Sequence, residues 1–247
     1  MSKSARAGIV GNDEMTWWSN TTDCADRIRF RQARFSEVGQ VVKSEVVAGL
    51  DGLLADLGVS RYQLTSAERG FSLMTEGNLD MRMSRDEGPT AADLVNYESE
   101  KELADLIFRL GEERRSRRIA RAIVRARPIR TTAQLAKLIE GAAPRTGKIH
   151  PATQTFMALR MAVNRELEEL DALLASIPQV VKPGGRAVIL TFTSIEDRKV
   201  KQSFQGLAKA GGAQLLNRHV VTASEEEVAA NPPSRGAKLR AIELTAG

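Results

Sequence analysis

Asp56 is the residue of this sequence best placed to do chemistry, because it ends a short apolar segment and is followed by a polar loop. Leucines recur through residues 50–57 around two aspartates and a glycine, a pattern typical of a short buried strand that ends beside a ligand. Ligands of open α/β sheets bind beyond the carboxyl ends of the strands. We therefore predict that Asp56 and residues 57–60 line a ligand site; an aspartate that only caps the next turn is the alternative.

Asp13 is a second acidic candidate near the start of the chain. Residues 7–14 form a short apolar segment that ends in Asp13 and Glu14. An acidic side chain at the end of a strand can accept hydrogen bonds from ribose hydroxyls in nucleotide-binding sheets. A plain aspartate between a strand and a turn explains the same pattern at least as well.

A second apolar segment, residues 186–192, predicts another buried strand that ends in the polar loop 193–198. If the two strands are neighbours, their loops lie side by side. Glu196 and Asp197 could then orient a base or the loop, and Arg198 could meet a phosphate. Equally, the acidic and basic side chains could pair only with each other at the edge of the sheet.

Eight arginines and no lysine occur between residues 114 and 130, in a segment whose apolar residues have helical spacing. The planar guanidinium group pairs bidentately with phosphate oxygens, so the run favours contact with RNA or DNA over a merely solvated face balanced by Glu112 and Glu113. The net charge of +5 agrees with an acidic partner. The candidate nucleic-acid contacts here are Arg114, Arg117, Arg118, Arg121 and Arg125.

Periodicity and capping signals place these residues on elements. Residues 70–89 have the glycines and proline of a long loop. Helices are predicted over 99–110, with Ser99 and Glu102 as a capping box, and over 112–127. Apolar residues at three- and four-residue spacing predict one long core helix from residue 153 to residue 174.

Composition excludes several classes of protein. A single cysteine rules out an intramolecular disulfide and a zinc site built from cysteines, and two distant histidines show no metal-binding pattern, so we expect no metal. No apolar run approaches the roughly 20 residues that span a bilayer, and residues 1–30 lack the apolar core of a signal peptide. These features predict a cytoplasmic protein that does not contact membranes.

The longer motifs resemble a known family. The chain contains DLGVS followed by QL and ERGFS (residues 56–72), LDMRM (79–83), GEERRSRRIARAIV (111–124) and IEDR (195–198). These motifs resemble the RsmH family, also called MraW, of bacterial methyltransferases that act on 16S ribosomal RNA, and the resemblance covers about residues 27–244. It implies an α/β fold: a class I, Rossmann-like methyltransferase sheet formed by residues 1–89 and 149–247, with a helical RNA-binding domain inserted at 90–148.

The resemblance also implies a site and a reaction. S-adenosylmethionine would be the cofactor, contacted by Phe35, Asp56 and Gln63, with Asp13 holding its ribose. The expected reaction is N4 methylation of a cytidine in the decoding region of 16S rRNA, with the small ribosomal subunit as partner and the arginine-rich helix facing the RNA. The oligomeric state is left open, with a homodimer among the options.

Several positions depart from the family's pattern. Its glycine-rich cofactor loop, a Gly-Gly-His element after the first strand, has no counterpart before Asp13, so the sheet is expected to lack its first strand. The family's histidine, arginine and glutamine are replaced by Thr193, Gln154 and Met157, and a Ser-Pro pair is Arg61-Tyr62. The alternative function is therefore a non-catalytic rRNA-binding remnant, or pseudoenzyme, without the cofactor loop.

The expected reaction suggests a role for Asp56. The exocyclic amine of cytosine is a poor nucleophile because its lone pair is delocalised into the ring. An enzyme must hold the amine in line with the methyl group and accept hydrogen bonds from it as charge develops. We hypothesise that the Asp56 carboxylate and the backbone carbonyl groups of residues 57–59 accept those hydrogen bonds.

Overall fold

A computed structural model describes residues 6–9, 28–46, 48–145, 147 and 149–246 of the 247-residue chain. The chain divides into two compact units. The first unit comprises Met1–Gly58 and Leu167–Gly247, and the second is the intervening segment Val59–Glu166. The segment 90–148, expected to be an inserted domain, lies within the second unit, which extends beyond it at both ends.

All strands of the described residues belong to the first unit. They are β1 (Arg6–Ile9), β2 (Ile28–Arg31), β3 (Leu50–Asp56), β4 (Val181–Thr191), β5 (Ala213–Leu215), β6 (Val221–Thr222) and β7 (Lys238–Leu244). β1 and β2 pair in parallel as a separate two-stranded sheet. The other five form a mixed sheet in the order β3-β4-β7-β5, with β6 also paired to β7.

The order of this sheet makes β3 and β4 neighbours, which is the condition under which their two loops lie side by side. They run in parallel, whereas β7 is antiparallel to β4. β3 is an edge strand, since its ladder partner among the described residues is β4 alone. Within the described residues these two sheets share no strand pairing.

The edge position of β3 corrects one expectation. The leucine-rich pattern predicts a buried strand, but Ala55 is the residue of β3 that is buried, and Leu54 is 76% exposed. A strand is buried on both faces only when other elements cover both of them. The apolar residues would allow other elements to cover β3. In the described residues, however, most of the strand is not buried.

Ten α-helices occur in the described part of the chain. They are α1 (Val38–Glu45), α2 (Arg61–Thr65), α3 (Ala91–Tyr97), α4 (Glu100–Gly111), α5 (Ser116–Ala126), α6 (Thr132–Ala142), α7 (Thr153–Val163), α8 (Glu166–Val180), α9 (Ser194–Lys209) and α10 (Glu225–Ala230). None of them combines the length and apolar character needed to cross a membrane.

The core of the first unit lies between its sheet and helices. Buried residues of β4 and β7, such as Ile189 and Ile242, pack with Val38 of α1, Ile177 of α8 and Phe204 of α9. Alternation along β4 directs every second side chain to this core. The mixed α/β architecture confirms the predicted fold class.

The second unit is built from helices α2–α7 around a separate core. Leu103, Ile107, Ile119 and Leu159 are fully buried in it. α4 and α7 pack very closely, because a β-carbon placed on Gly111 would lie 2.4 Å from the carbonyl oxygen of Gln154. Only glycine permits this approach of two helix backbones.

Capping boxes place helix starts correctly, but other helix bounds are less accurate. The helix predicted over 112–127 is α5, which begins at Ser116 and ends at Ala126. The Ser99 and Glu102 capping box at the start of α4 is confirmed. The predicted single helix 153–174 is wrong, because α7 ends at Val163 and α8 begins at Glu166. Between them Arg165 has a φ of 50°, and the Asn164 side chain donates to the carbonyl of Met81 and accepts from the N–H of Met83.

Candidate functional site

Asp56 lies at the carboxyl end of β3, beside the end of β4. It is opposite Leu190 in the parallel ladder, and the next N–H, that of Leu57, donates to the Leu190 carbonyl at 3.0 Å. The Asp56 side chain stays exposed. Surrounding protein nevertheless removes enough water to raise the pKa of its carboxyl group above its usual value. The result is an accessible carboxylate that accepts protons and hydrogen bonds more readily than an ordinary surface aspartate.

The turn after Asp56 is formed by a glycine with a positive φ. Gly58 has a φ of 112°, in a region that side chains with a β-carbon rarely adopt. Leu57 is buried in the first unit's core and fixes the backbone directly before Gly58. The backbone therefore turns away from the sheet immediately beyond the candidate catalytic residue.

The end of β4 is fixed by the start of α9. The Thr193 hydroxyl accepts from the N–H of Glu196 at 3.3 Å, and the N–H groups of Phe192 and Thr193 donate to Glu196 Oε2 at 3.2 and 3.0 Å. This reciprocal arrangement is a capping box. Thr193, which stands where the resemblance has a histidine, thus begins the helix.

The remaining charged residues of this loop have structural partners. Asp197 accepts two hydrogen bonds from the Arg240 guanidinium, at 2.7 and 3.1 Å, and lies 4.0 Å from Lys238. Glu196 is buried in the capping box. The alternative in which acidic and basic side chains pair at the edge of the sheet therefore describes Asp197, whereas Glu196 accepts from backbone N–H groups. Arg198 on α9 is exposed.

Phe35 is also in the first unit, where it begins the short 3-10 helix Phe35–Glu37. Its half-buried ring packs against the same core as Ala55 and Leu57, the neighbours of Asp56. The next residue anchors this helix, because the N–H and hydroxyl of Ser36 donate to the Glu169 carboxylate at 2.8 and 3.1 Å.

Gln63 lies in the second unit, on α2. It is buried, its N–H donates to the Ser60 hydroxyl at 3.2 Å, and its side-chain oxygen accepts from the Ser60 N–H at 3.0 Å. Sequence reasoning assigned Gln63 to the cofactor and missed this capping box, although the Ser-x-x-Gln spacing signals it. The box uses the amide oxygen, so the amide nitrogen is the group that remains for a ligand. Asp13 lies outside the described residues.

Two of the recognised motifs hold each other in the second unit. Arg69, from ERGFS, is buried and donates to the carbonyls of Arg82 and Met83 in LDMRM, at 3.1 and 2.9 Å. Asp80 of the same motif forms a 2.8 Å ion pair with Arg82. These motif residues shape the long loop 70–90 through internal bonds.

The eight arginines of residues 114–130 fall into two groups. Arg115 pairs with the buried carboxylate of Glu113 and donates to the Pro144 carbonyl, and Arg127 donates to the carbonyls of Val95 and Glu98. These two side chains hold the second unit together. The others, Arg130 included, are exposed.

Most of the exposed arginines form one surface, which we call the arginine face. Its members are Arg114, Arg117, Arg118, Arg121 and Arg125. On α5, Arg117 and Arg118 precede Arg121 by four and three residues and Arg125 follows it by four, so they share one side of the helix. Ser116, Ile119, Ala120 and Ile123 are buried on the other side. Arg121 has a 3.3 Å pair with Glu100; the other four make no ion pair within the described part of the chain.

Two concave regions also lie in the second unit. One, of about 390 Å³, is lined by residues that include Asp80, Tyr97 and Arg130. The other, of about 630 Å³, is an apolar groove between α5 and α6. Neither is lined by Asp56 or Phe35. The described side chains contain no group of three or more His, Cys, Asp or Glu residues positioned to hold a metal ion.

Known proteins match this chain along most of its length. A chain of Solibacter usitatus, "Ribosomal RNA small subunit methyltransferase H", is 54% identical over 226 residues, which cover 92% of this chain and 79% of the relative. Proteins of the same name from Koribacter versatilis and Bradyrhizobium diazoefficiens are 54% and 47% identical, covering 87% and 97% of this chain and 69% and 77% of the relatives. The model of the MraW methylase family matches residues 18–245. The chain belongs to the MraW methylase family.

Proposed function

We propose that this protein methylates the N4 amine of a cytidine in the decoding region of small-subunit ribosomal RNA, with S-adenosylmethionine as methyl donor. The observation that carries the proposal is Asp56: an accessible carboxylate of raised pKa at the end of β3, in a chain of the MraW methylase family. The names of its relatives support ribosomal RNA of the small subunit as the substrate.

The residues of the first unit fit a bound nucleoside cofactor. Asp56 offers a hydrogen-bond acceptor at the strand end, Phe35 an apolar surface packed on the same core, and Gly58 a backbone that a ligand can approach. Within this unit we assign Phe35 and Asp56 to S-adenosylmethionine, which supplies an electrophilic methyl group when bound; Gln63 and Asp13 stay assignments that the family resemblance implies.

The reaction assigned to Asp56 is hydrogen-bond acceptance from the amine. A cytosine amine becomes a better nucleophile when an acceptor withdraws one of its protons and turns its lone pair out of the ring plane. The loss of water around Asp56, which raises its pKa, also strengthens that interaction. The backbone carbonyls of residues 57–59 supply the second acceptor in this proposal.

We assign the RNA contact to the second unit, including segment 90–148. The arginine face presents five exposed guanidinium groups on one side of α5 and its preceding turn. Such a surface neutralises phosphates without reading sequence. Arg198 on α9 provides a further exposed cation in the first unit.

Asp56→Asn tests the catalytic assignment, because it keeps the shape and removes the charge. At saturating S-adenosylmethionine, we expect methyl transfer to undermethylated small subunits to fall by roughly 10²–10⁴-fold, the range for loss of a general base. Because Asp56 is also assigned to the cofactor, calorimetry measures any change in S-adenosylmethionine binding separately. Asp51→Asn is the matched control: Asp51 is an exposed aspartate near the start of the same strand, paired at 2.9 Å with Lys182.

Two outcomes would contradict the proposal. Wild-type rates from Asp56→Asn that still binds cofactor would remove Asp56 from the chemistry. A wild-type protein that binds ribosomal RNA but not S-adenosylmethionine would instead support the non-catalytic alternative. Nuclease digestion of the product and mass spectrometry then separate N4-methylcytidine from other methylated nucleosides.

A further inference from the structure

Phe192 is an exposed aromatic residue directly after β4. It lies at the edge of the sheet where the parallel strands β3 and β4 end, as Asp56 does. Its side chain is 41% exposed, although it follows a strand whose alternate residues are buried. A single exposed apolar side chain is unremarkable by itself. The surroundings of Phe192 are what make its exposure informative.

The ring of Phe192 lies against the turn that follows Asp56. Leu190, two residues before Phe192, is the ladder partner of Asp56. A β-carbon placed on Gly58 would lie 3.8 Å from Phe192 Cδ2, which is ordinary van der Waals contact. The carboxylate of Asp56 and the aromatic ring therefore flank the same strand ends, in one unit of the protein.

The backbone that carries this ring is held on both sides. Glu196, which is 3% exposed, accepts from the N–H groups of Phe192 and Thr193 through a single oxygen. On the other side the Thr191 hydroxyl donates to the Lys238 carbonyl at 3.3 Å. The backbone is thus fixed while the ring stays accessible, an arrangement typical of a pre-organised contact.

We infer that Phe192 is the stacking surface for the acceptor cytosine and that Glu196 is its positioning residue. Enzymes that act on a base take it out of the helical stack and hold it against aromatic or apolar side chains. The Phe192 ring would support one face of the cytosine and hold its amine near the Asp56 carboxylate. This inference rests on the proposed function and adds the residue that holds the substrate base.

Two heteroaromatic rings could stack on Phe192: the acceptor cytosine, as we infer, or the adenine of the cofactor. Phe192→Ala and Phe192→Tyr distinguish the two. For Phe192→Ala we expect kcat/KM with small subunits to fall by roughly 5- to 100-fold, the range for loss of one stacked base, while the Kd for S-adenosylmethionine is unchanged. Phe192→Tyr keeps an aromatic face and is expected to stay close to wild type.

Phe108→Ala is the matched control, since Phe108 is a 56% exposed aromatic residue on α4 in the other unit. Wild-type kcat/KM from Phe192→Ala would overturn the inference, and so would an equal loss with Phe108→Ala. Weaker S-adenosylmethionine binding by Phe192→Ala would assign the ring to the cofactor instead. If wild-type protein itself transfers no methyl group, the proposed function fails before these variants are compared.

The role of Glu196 is tested by combining variants. Glu196→Ala removes the acceptor for both N–H groups, whereas Glu196→Gln keeps an acceptor oxygen and should restore activity. If Glu196 acts through Phe192, the double variant Glu196→Ala/Phe192→Ala should have the same kcat/KM as Phe192→Ala alone. Losses that multiply in the double variant, or no rescue by Glu196→Gln, would show that Glu196 does not act by positioning Phe192.

Discussion

The strand-end site of the first unit and the arginine face of the second use charge in opposite ways. At the strand ends most polar groups are engaged: Glu196 closes a capping box and Asp197 is paired with Arg240. Asp56 is left as an accessible carboxylate of raised pKa. On the arginine face, four of the five guanidinium groups make no ion pair within the described residues.

This difference separates reactivity from affinity. A single carboxylate acts only if its environment is fixed, and the neighbouring end of β4 is fixed by the capping box of α9. Phosphate contact instead depends on how many cationic side chains can neutralise phosphates and so release the counterions of the RNA. It tolerates mobile side chains. Substitutions at the strand ends should therefore lower the rate of methyl transfer, and substitutions on the arginine face should weaken RNA binding. A variant of one region that changed both properties would contradict this distinction.

The largest effect is expected from removing charge on the arginine face. In the triple variant Arg117→Ala/Arg118→Ala/Arg125→Ala, the slope of log Kd against log salt for single-stranded ribosomal RNA should fall by roughly 2, since each phosphate contact contributes about 0.7. Fluorescence anisotropy at several salt concentrations measures this slope.

The matched lysine variant of the same three positions controls for charge. It keeps the cations but loses the bidentate fork, so most of the salt slope should remain. Cofactor binding should be unchanged in both variants. An unchanged slope in the alanine variant would mean that RNA is bound elsewhere. The assignment of RNA binding to the arginine face would then be wrong.

A smaller effect, on the free energy of unfolding, distinguishes the structural arginines of residues 114–130 from the exposed ones. Burial pushes the pKa of Glu113 upward, but hydrogen bonds from Arg115 outweigh it and lower that pKa overall. Arg115→Ala removes both guanidinium hydrogen bonds and leaves the buried carboxylate with the backbone N–H of residue 115, so we expect a loss of about 1–3 kcal/mol in the free energy of unfolding. Urea unfolding measures the loss.

Arg118→Ala is the control on the next helical turn. It should stay within about 0.5 kcal/mol of wild type, as exposed substitutions usually do, while weakening RNA binding. Equal stabilities for the two variants would show that the division of the run into structural and exposed arginines is wrong.

The sequence predicts the fold well where a signal is local. Ser99 with Glu102 marks a helix start that the structure contains. The two apolar segments that end in polar loops are both strands, β3 and β4, but only the structure shows that they are neighbours. Helix ends and burial are harder, because they depend on distant partners: Asn164 ends α7 by bonding the backbone of Met81 and Met83.

The candidate site shows the same limit. The arginine run is visible in the sequence, but that Arg115 and Arg127 are internal ties could not be deduced, since their acceptors are a buried carboxylate and carbonyls up to 32 residues away. Phe192 appeared only as part of a buried strand. Its exposure depends on where β4 ends against the Gly58 turn, which no local pattern encodes.

The smallest expected effect concerns the stability of the Asp56→Asn variant. Because burial raises the pKa of Asp56 above its usual 3.8, the folded protein holds this proton more tightly than the unfolded chain does. The charged form therefore costs stability once the pH exceeds the folded pKa, and that stability is recovered as the pH falls toward 3.8. Asparagine carries no charge, so Asp56→Asn should have a slightly higher Tm than wild type at neutral pH, with the difference shrinking in acid.

Thermal unfolding at neutral and acidic pH, with Asp51→Asn as control, measures this difference. A lower Tm at neutral pH would mean that the Asp56 carboxylate stabilises the folded state, as an aspartate that caps the following turn would. A higher Tm together with lost methyl transfer would instead show that the strand end gives up stability to keep an unpaired carboxylate, as residues held for catalysis do. The sign of one small shift thus decides whether Asp56 belongs to the fold or to the reaction.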